Sequence, residues 1–399
     1  MNLLVSSPPR RRARFHSLRI SHIEHLTDQA VAVTLAVPPP LREEFAFVPG
    51  QHLTLRAEID GEDVRRSYSI CSSRQEYAEI YRLRVASARV PGGAMSNWLN
   101  DHAAAGQDIE VMTPMGTFAA PVFDDSSSAD SAPFDGAPAA RHHVAVAAGS
   151  GITPVLSVIR TVLDEQPQAH VTLFFGNKRA DSIMFLEDLM ALKNEHPARF
   201  ALYNVLSQER PDVELFAGRI DRQRMATFVE QLVPVAAVDE WYVCGPHPMV
   251  TGVQDVLTDA GADPAHVQHE IFHVEDASTG APDLGMPVVQ AVEGGDDLIA
   301  TLSSGAPEAV ITVTLDGRTT RVPMPSRAET ILAATLRERP DAPYSCTGGI
   351  CGTCRARVVD GEIRMDQNWA LEPEEIAAGI VLACQSHPVT DEVRVDYDA

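Results

Sequence analysis

The chain changes its hydrophobic rhythm twice. Between residues 17 and 120, apolar and polar positions alternate in short runs, "AVAVTLAV", "QHLTLRAEI", "RRSYSICS" and "YRLRVASARV", broken by Pro and Gly. Alternation of this kind predicts strands with one buried face, and a run of them predicts a small antiparallel β-barrel. From 142 to 272 the apolar runs become continuous, as in "HHVAVAA", "HVTLFFG", "FALYNVLS" and "EWYVCGP", with helical patterns such as "PVLSVIRTVLDEQ" and "MATFVEQLV" between them. Strands alternating with helices predict an α/β, doubly wound parallel sheet. A third unit at 309–399 has its own strands, "AVITVTLDG" and "TTRVPMP", followed by a helix, "ETILAATLRER". No internal repeat is evident.

Two stretches without periodicity separate these parts. "FDDSSSADSAPFDG" at 123–136 carries four aspartates, and 273–308 holds seven acids with no Lys or Arg. Both are rich in Gly, Ala, Ser and Pro, a composition of loop and linker. The expected layout is a barrel at 15–120, an acidic loop insertion at 121–141, the α/β domain at 142–272, an acidic linker at 273–308 and a third domain at 309–399. The linker is expected to join neither core.

Charge narrows the function. A formal net charge of −23 argues against nucleic acid, whose binding relies on basic surfaces that displace phosphate counterions. The basic arm "PPRRRAR" at 8–14 is expected to be a solvated terminus. No run of 18 apolar residues appears, so no membrane span and a cytoplasmic location are expected.

Four of the six cysteines fall in one pattern, Cys346-x4-Cys351-x2-Cys354-x29-Cys384. This is the plant-type spacing for a [2Fe-2S] cluster, whose two irons take four thiolates. Gly348, Gly349 and Gly352 let the loop bend with its N–H groups toward sulfur. Structural zinc sites usually offer two close pairs of ligands, and a disulfide framework suits an oxidising compartment.

"VAVAAGSGITPVLSVIR" reads as a strand, a turn through Gly149 and Gly151, and a helix opening at Pro154. Such a turn presents backbone N–H groups and a helix N-terminus to a pyrophosphate. In "RRSYSICS", Arg66 offers charge to a phosphate, Tyr68 a flat ring, and Ser69 a hydroxyl for a heteroaromatic edge. "PGGAMSNWL" supplies a second anion-binding turn at Gly92, Gly93, Met95 and Ser96. Two such turns in separate domains suggest two nucleotide cofactors.

The order Arg66-x-Tyr68-Ser69, Gly93-x-x-Ser96, "GSGITP" and Cys244-Gly245-Pro246 resembles the ferredoxin–NADP reductase superfamily. Within it the chain is most similar to oxygenase reductases with a C-terminal ferredoxin, a group that includes those of phenylacetyl-CoA epoxidase and 3-ketosteroid 9α-hydroxylase. "FFGNKRADSIMFLEDLMALKN" and "MDQNWALEPEEIAAGIVLACQSHP" carry the closer likeness.

The resemblance implies an antiparallel flavin barrel, an α/β NAD(P) domain and an α+β β-grasp ferredoxin. It implies FAD, a [2Fe-2S] cluster and NADPH or NADH as cofactors, with a separate terminal oxygenase as partner. By its pattern Arg66 binds the flavin phosphate, Tyr68 stacks on the isoalloxazine, Ser69 lies near N5, and Gly93 and Ser96 hold the FAD pyrophosphate. Gly151, Thr153 and Pro154 cradle the nicotinamide nucleotide, with Cys244 and Gly245 beside its ring. Glu270 and Phe272 in "HEIF" lie against the flavin, and Ser69, Cys244 and Glu270 are the expected catalytic residues.

Lys178 and Arg179 stand where a 2′-phosphate would be met, which favours NADPH. No oxygen-activating metal motif is evident, and the pair His142-His143 is expected at the surface. Alternative readings are a reductase for a steroid- or ring-hydroxylating oxygenase, and a non-enzymatic flavin and iron–sulfur redox sensor.

Overall fold

A computed structural model describes residues 14–116, 118–119, 141–273, 289–290 and 307–399. The expected insertion over 121–140, the linker outside 273, 289–290 and 307–308, and the basic arm before Arg14 lie outside the described residues. The chain divides into two compact units, with the break after Glu275.

The first unit begins with six antiparallel strands: β1 (Phe15–Thr27), β2 (Ala30–Ala36), β3 (His52–Ile59), β4 (Glu62–Ser69), β5 (Arg82–Ala88) and β6 (Asp108–Met112). They are ordered β4-β3-β6-β1-β2-β5. A bridge between Ile70 and Val85 returns the end of β4 to β5 and curls the sheet into a barrel. Leu18, Ile20, Val31, Val33, Leu35, Leu53, Leu55 and Val85 fill its interior. Two short helices lie against it, α1 (Arg74–Ile80) and α2 (Ala94–Asp101).

The same unit continues into an α/β domain of β7 (His142–Ala148), α3 (Ile152–Glu165), β8 (His170–Asn177), α4 (Leu186–Glu195), β9 (Phe200–Leu206), α5 (Arg222–Gln231), β10 (Glu240–Pro246), α6 (His247–Asp259) and β11 (Val267–His273). Its five strands are parallel in the order β11-β10-β7-β8-β9. The winding reverses between β7 and β10, and the carboxyl ends of strands at such a reversal form a ligand crevice.

Two expectations need correction here. Helix α3 opens at Ile152, so Pro154 is its third residue rather than its first. Its missing N–H is still harmless, because the first-turn donors have no intrahelical partner. His143 is also not at the surface. It is 1 % exposed, stacked on Tyr242 at 6.0 Å between ring centres, with Nε2 3.0 Å from Gln166 Oε1. Strand alternation turns His143 into the core and leaves only His142 partly exposed.

The second unit holds a five-stranded sheet, β14-β13-β19-β15-β17, and a three-stranded sheet, β12-β16-β18. The strands are β12 (Val289–Gln290), β13 (Ala309–Leu315), β14 (Arg318–Met324), β15 (Arg355–Asp360), β16 (Glu362–Met365), β17 (Ile380–Leu382), β18 (Ser386–Pro388) and β19 (Glu392–Asp396). Helices α7 (Ile331–Glu338) and α8 (Pro373–Ala377) complete it. The expected linker is not wholly unpaired: Val289 and Gln290 add a strand beside Ile363 and Glu362. No helix among the described residues is long and apolar enough to cross a membrane.

Candidate functional site

The barrel presents its candidate residues on β4. Register with β3 sets Tyr68 opposite Leu53, Arg66 opposite Leu55 and Ser69 opposite His52. Arg65 and Arg66 part company at this point. Arg65 is buried and paired with Asp63 at 3.0 Å, whereas exposed Arg66 donates to the Arg65 carbonyl, at 2.7 Å, and has no carboxylate partner among the described residues. Burial pushes the Tyr68 phenol up to about 12, against the opposing pull of the Ser87 hydroxyl and the Arg66 charge. Ser69 is buried at the strand end.

Helix α2 supplies the second turn. Gly93 is its N-cap and has no side chain to accept from the helix, so the first-turn N–H groups stay open to a ligand. Ser96 Oγ is engaged inside the turn, accepting from Val90 N at 3.2 Å and donating to Gly93 O at 3.3 Å. Gly92 takes a φ of +72° next to it. Met95 is packed in the barrel core and anchors the helix there. Backbone N–H groups are therefore what this turn could offer an anion, with Ser96 Oγ bracing the turn.

These surroundings fit a flavin nucleotide. His52 Nε2 is a buried polar atom lacking a partner, the Ser87 hydroxyl lies against Tyr68, and the Arg66 charge stands beside the same ring. A phosphate and a ring edge of mixed donors and acceptors would satisfy such groups.

The crevice between β7 and β10 brings the other set together. At Gly151 a Cβ would lie 2.3 Å from the Cys244 carbonyl oxygen, so only glycine permits the start of α3 to approach the end of β10. Gly149 lies in the left-handed region at φ +53°, and Thr153 Oγ1 donates to Ser150 O at 2.9 Å, closing the turn. Pro154 is buried in the first helical turn.

Cys244 is fully buried, and Gly245 follows it at the strand end, where a Cβ would meet Met249 at 2.7 Å. Burial first, and then the charge of Glu270, hold the Cys244 thiol well above its ordinary range. A thiol so held stays protonated and is no nucleophile. Glu270 is its register partner on β11, with a buried Oε2 that has no partner and a pKa pushed up to about 8 by burial. Phe272, two residues on, packs against the core that runs from the α/β domain into Ala30, Ala32 and Cys71 of the barrel.

The residues expected at the 2′-phosphate position follow β8. Lys178 and Arg179 are both exposed, but Arg179 Nε donates to both Asp181 oxygens at 3.1 Å. Glu209, from the segment after β9, accepts from Ala180 N at 2.8 Å. Of the two cations, Arg179 is therefore the one held by an acid of its own loop.

In the second unit the four cysteines meet as two pairs. Cys346 and Cys351 form one, with Cys351 N donating to Cys346 Sγ at 3.4 Å and Cys346 N to Cys351 Sγ at 3.5 Å. Cys354 and Cys384 form the other through their thiols. Gly348 N also donates to Cys346 Sγ, at 3.4 Å. The Cys351 thiol, followed by the surrounding N–H groups, draws Cys346 down to about 5, so thiolate is favoured where a metal would need it. Gly349 holds φ +75° against the Gln367 carbonyl, 3.0 Å from where a Cβ would stand.

Among the described residues no three potential ligands converge on a single ion. Two thiol pairs suit two irons with two thiolates each, and the buried Thr353 hydroxyl beside Cys351 offers a donor to sulfur. The residues fit a [2Fe-2S] cluster.

Sequence reasoning missed His52 and Ser87. Their neighbours in the sequence, "PGQH" and "RVASA", look like ordinary strand starts and alternation. Only the fold marks them out, by setting His52 opposite Ser69 with an unsatisfied ring nitrogen and Ser87 against Tyr68.

Comparison with known proteins identifies the three domains. Profiles described as oxidoreductase FAD-binding domain, oxidoreductase NAD-binding domain and 2Fe-2S iron-sulfur cluster binding domain match residues 17–119, 145–255 and 313–389. The chain is 37% identical to a subunit of the 1,2-phenylacetyl-CoA epoxidase of Escherichia coli, over 96% of this chain and 98% of the other. It is 32% identical to the ferredoxin reductase component of a Rhodococcus rhodochrous 3-ketosteroid-9-alpha-monooxygenase, over 95% and 96%. Among solved structures, phthalate dioxygenase reductase shares the fold, with a TM-score of 0.52 at 21% identity over 96% and 98% of the chains. The chain belongs to the family of FAD-, NAD- and [2Fe-2S]-containing reductase components of multicomponent oxygenases.

Proposed function

We propose that this reductase serves a separate oxygenase of the phenylacetyl-CoA epoxidase type, delivering single electrons drawn from NADPH. The observation that carries the choice of partner is end-to-end likeness to the Escherichia coli epoxidase component, at 37% identity over 96% of this chain. The division of labour follows the layout: 15–120 holds FAD, 142–272 binds the nicotinamide nucleotide, and 309–399 carries the cluster toward the oxygenase, across the 273–308 linker.

FAD bound at the barrel would convert a two-electron hydride into single-electron transfers, and a [2Fe-2S] cluster would give those electrons their exit. The protein's own residues orient and exclude. Arg66 neutralises flavin phosphate, Tyr68 and Ser69 hold the ring plane and its edge, and the N–H groups capped by Gly93 take the pyrophosphate. Gly151 lets the nicotinamide-binding helix approach Cys244 within contact, and Thr153 and Pro154 fix that turn. Protonated Cys244 and Glu270 keep uncompensated charge away from the nicotinamide ring at neutral pH. Lys178 supports NADPH over NADH, with Arg179 tied to Asp181.

The test is reconstitution. Purified protein, NADPH, phenylacetyl-CoA and the epoxidase's oxygenase component should yield epoxide with NADPH consumed stoichiometrically. Product with a 3-ketosteroid oxygenase, but none with the epoxidase, would redirect the assignment.

A further inference from the structure

We infer that Asp188 is a positioning residue for hydride transfer, setting the nicotinamide-binding helix against the flavin strand through a charge network across the barrel and α/β domains. This rests on the proposed NADPH-to-flavin reading. Asp188 sits in the first turn of α4 and grips two arginines from different layers. One is Arg84 of β5, held at 3.0 and 3.3 Å through Nη1 and Nη2. The other is Arg160, on the α3 helix whose N-terminus forms the "GSGITP" turn. Arg160 continues to Glu76 on the barrel helix α1, at 3.2 Å, and Arg84 to Glu24 at 2.5 Å.

The side chains of Arg84, Arg160 and Asp188 are only 11%, 16% and 19% exposed, so solvent and salt screen them weakly. The backbone around them is held under strain. Phe185, just before α4, is buried with a φ of +60°, a region costly for an aromatic residue, and its ring lies under the Arg84 guanidinium at 4.9 Å.

The network ends at the flavin motif itself. Ser157 and Thr161 of α3 bond the segment that leaves β4: Ser157 Oγ donates to Ser72 O at 2.7 Å, and Arg74 N to Thr161 Oγ1 at 3.3 Å. Ser72 Oγ accepts from Arg84 N at 2.8 Å. Helix α3 thus touches both ends of the reaction, with the nicotinamide turn at its N-terminus and the exit of the Tyr68-Ser69 strand along its side. Removing the Asp188 charge leaves Arg84 and Arg160 facing one another with only Glu24 and Glu76 at their outer ends, which loosens the seating of α3 on β5. A misplacement on the order of 1 Å slows a positioned transfer by up to about a hundredfold.

The experiment is anaerobic stopped-flow mixing of flavin-loaded, full-length protein with NADPH, comparing wild type, Asp188→Asn and Asp188→Glu. The Asn variant should keep stoichiometric flavin and a Kd for NADPH within about threefold of wild type. Its flavin should be reduced on the order of ten- to a hundredfold more slowly, with loss of the long-wavelength band of nicotinamide stacked on flavin. The Glu variant should recover most of the rate. Wild-type reduction by Asp188→Asn, or a slowdown fully explained by weaker NADPH binding, overturns the proposal. Should Asp188→Asn not retain flavin, Glu76→Gln carries the same test from the rim: slower reduction supports the proposal and an unchanged rate overturns it. Failure of wild-type flavin to be reduced by NADPH or NADH is a separate outcome, which overturns the reductase reading as well.

Discussion

Cys244 and Glu270 stand opposite one another on β10 and β11, a thiol and a carboxyl that are both kept protonated by burial. The carboxyl has the clearer consequence. Its pKa is raised to about 8 in the folded protein, from an unfolded value of 4.5, so the folded state binds this proton more tightly. The stability it contributes is complete below the unfolded value and is lost as pH rises through the folded one. Thermal melts of the protein should therefore fall between about pH 5 and 8, and Glu270→Gln should flatten that limb. An unchanged slope in the variant would place the loss elsewhere.

Buried imidazoles contribute to the acid limb. Burial lowers His52 and His143 to about 4, so both are neutral in the fold, and the unfolded chain takes up protons first. Their contribution is complete above the unfolded value of 6.5 and is lost as pH falls toward 4. His143→Gln should reduce the loss of melting temperature between pH 6.5 and 4, while leaving the melt at pH 8 within a few degrees.

Gly151→Ala forces a methyl group onto the Cys244 carbonyl, at 2.3 Å. Backbone cannot step aside as a flexible side chain can, so the start of α3 must retreat. Overpacking of this kind costs about 1 to 3 kcal/mol. The expected readout is a lower melting temperature together with a raised KM for NADPH, while the flavin absorption spectrum stays intact.

Arg66→Ala removes a barrel cation that stands beside Tyr68 and, among the described residues, has no acid of its own. Losing a charge-assisted hydrogen bond should weaken flavin binding by about 1.5 to 3 kcal/mol. Fluorescence titration of apoprotein with FAD measures it. Arg65→Ala should instead lower stability, because Arg65 is buried against Asp63.

Much of this is legible in the sequence because the signals are local. The cysteine spacing, the glycine turns and the switch from alternating to continuous apolar runs each lie within a few residues. Strand β1 is not legible. Its pairing with β2 shifts register between Ile20 and His22 and again between His25 and Thr27, so the period of two set by Leu18 and Ile20 is lost along the rest of the strand. The burial of His143 is hidden as well, because a His-His pair before a strand gives no sign of which residue turns inward. The Asp188 network joins residues as far apart in sequence as Arg84 and Asp188, and a charge on an amphipathic helix reads as surface until the barrel is packed against it.

The central claim is that electrons pass from NADPH to flavin and leave only through the cluster held by Cys346, Cys351, Cys354 and Cys384. Cys354→Ser removes one thiol of the second pair while leaving the nucleotide sites untouched. The most direct measurement follows oxygenase turnover and ferricyanide reduction by this variant beside wild type, with iron and sulfide content determined on both. The account predicts loss of the iron–sulfur absorption and of oxygenase turnover, with NADPH-driven ferricyanide reduction kept near the wild-type rate. Full oxygenase turnover in a variant shown to lack the cluster would contradict it.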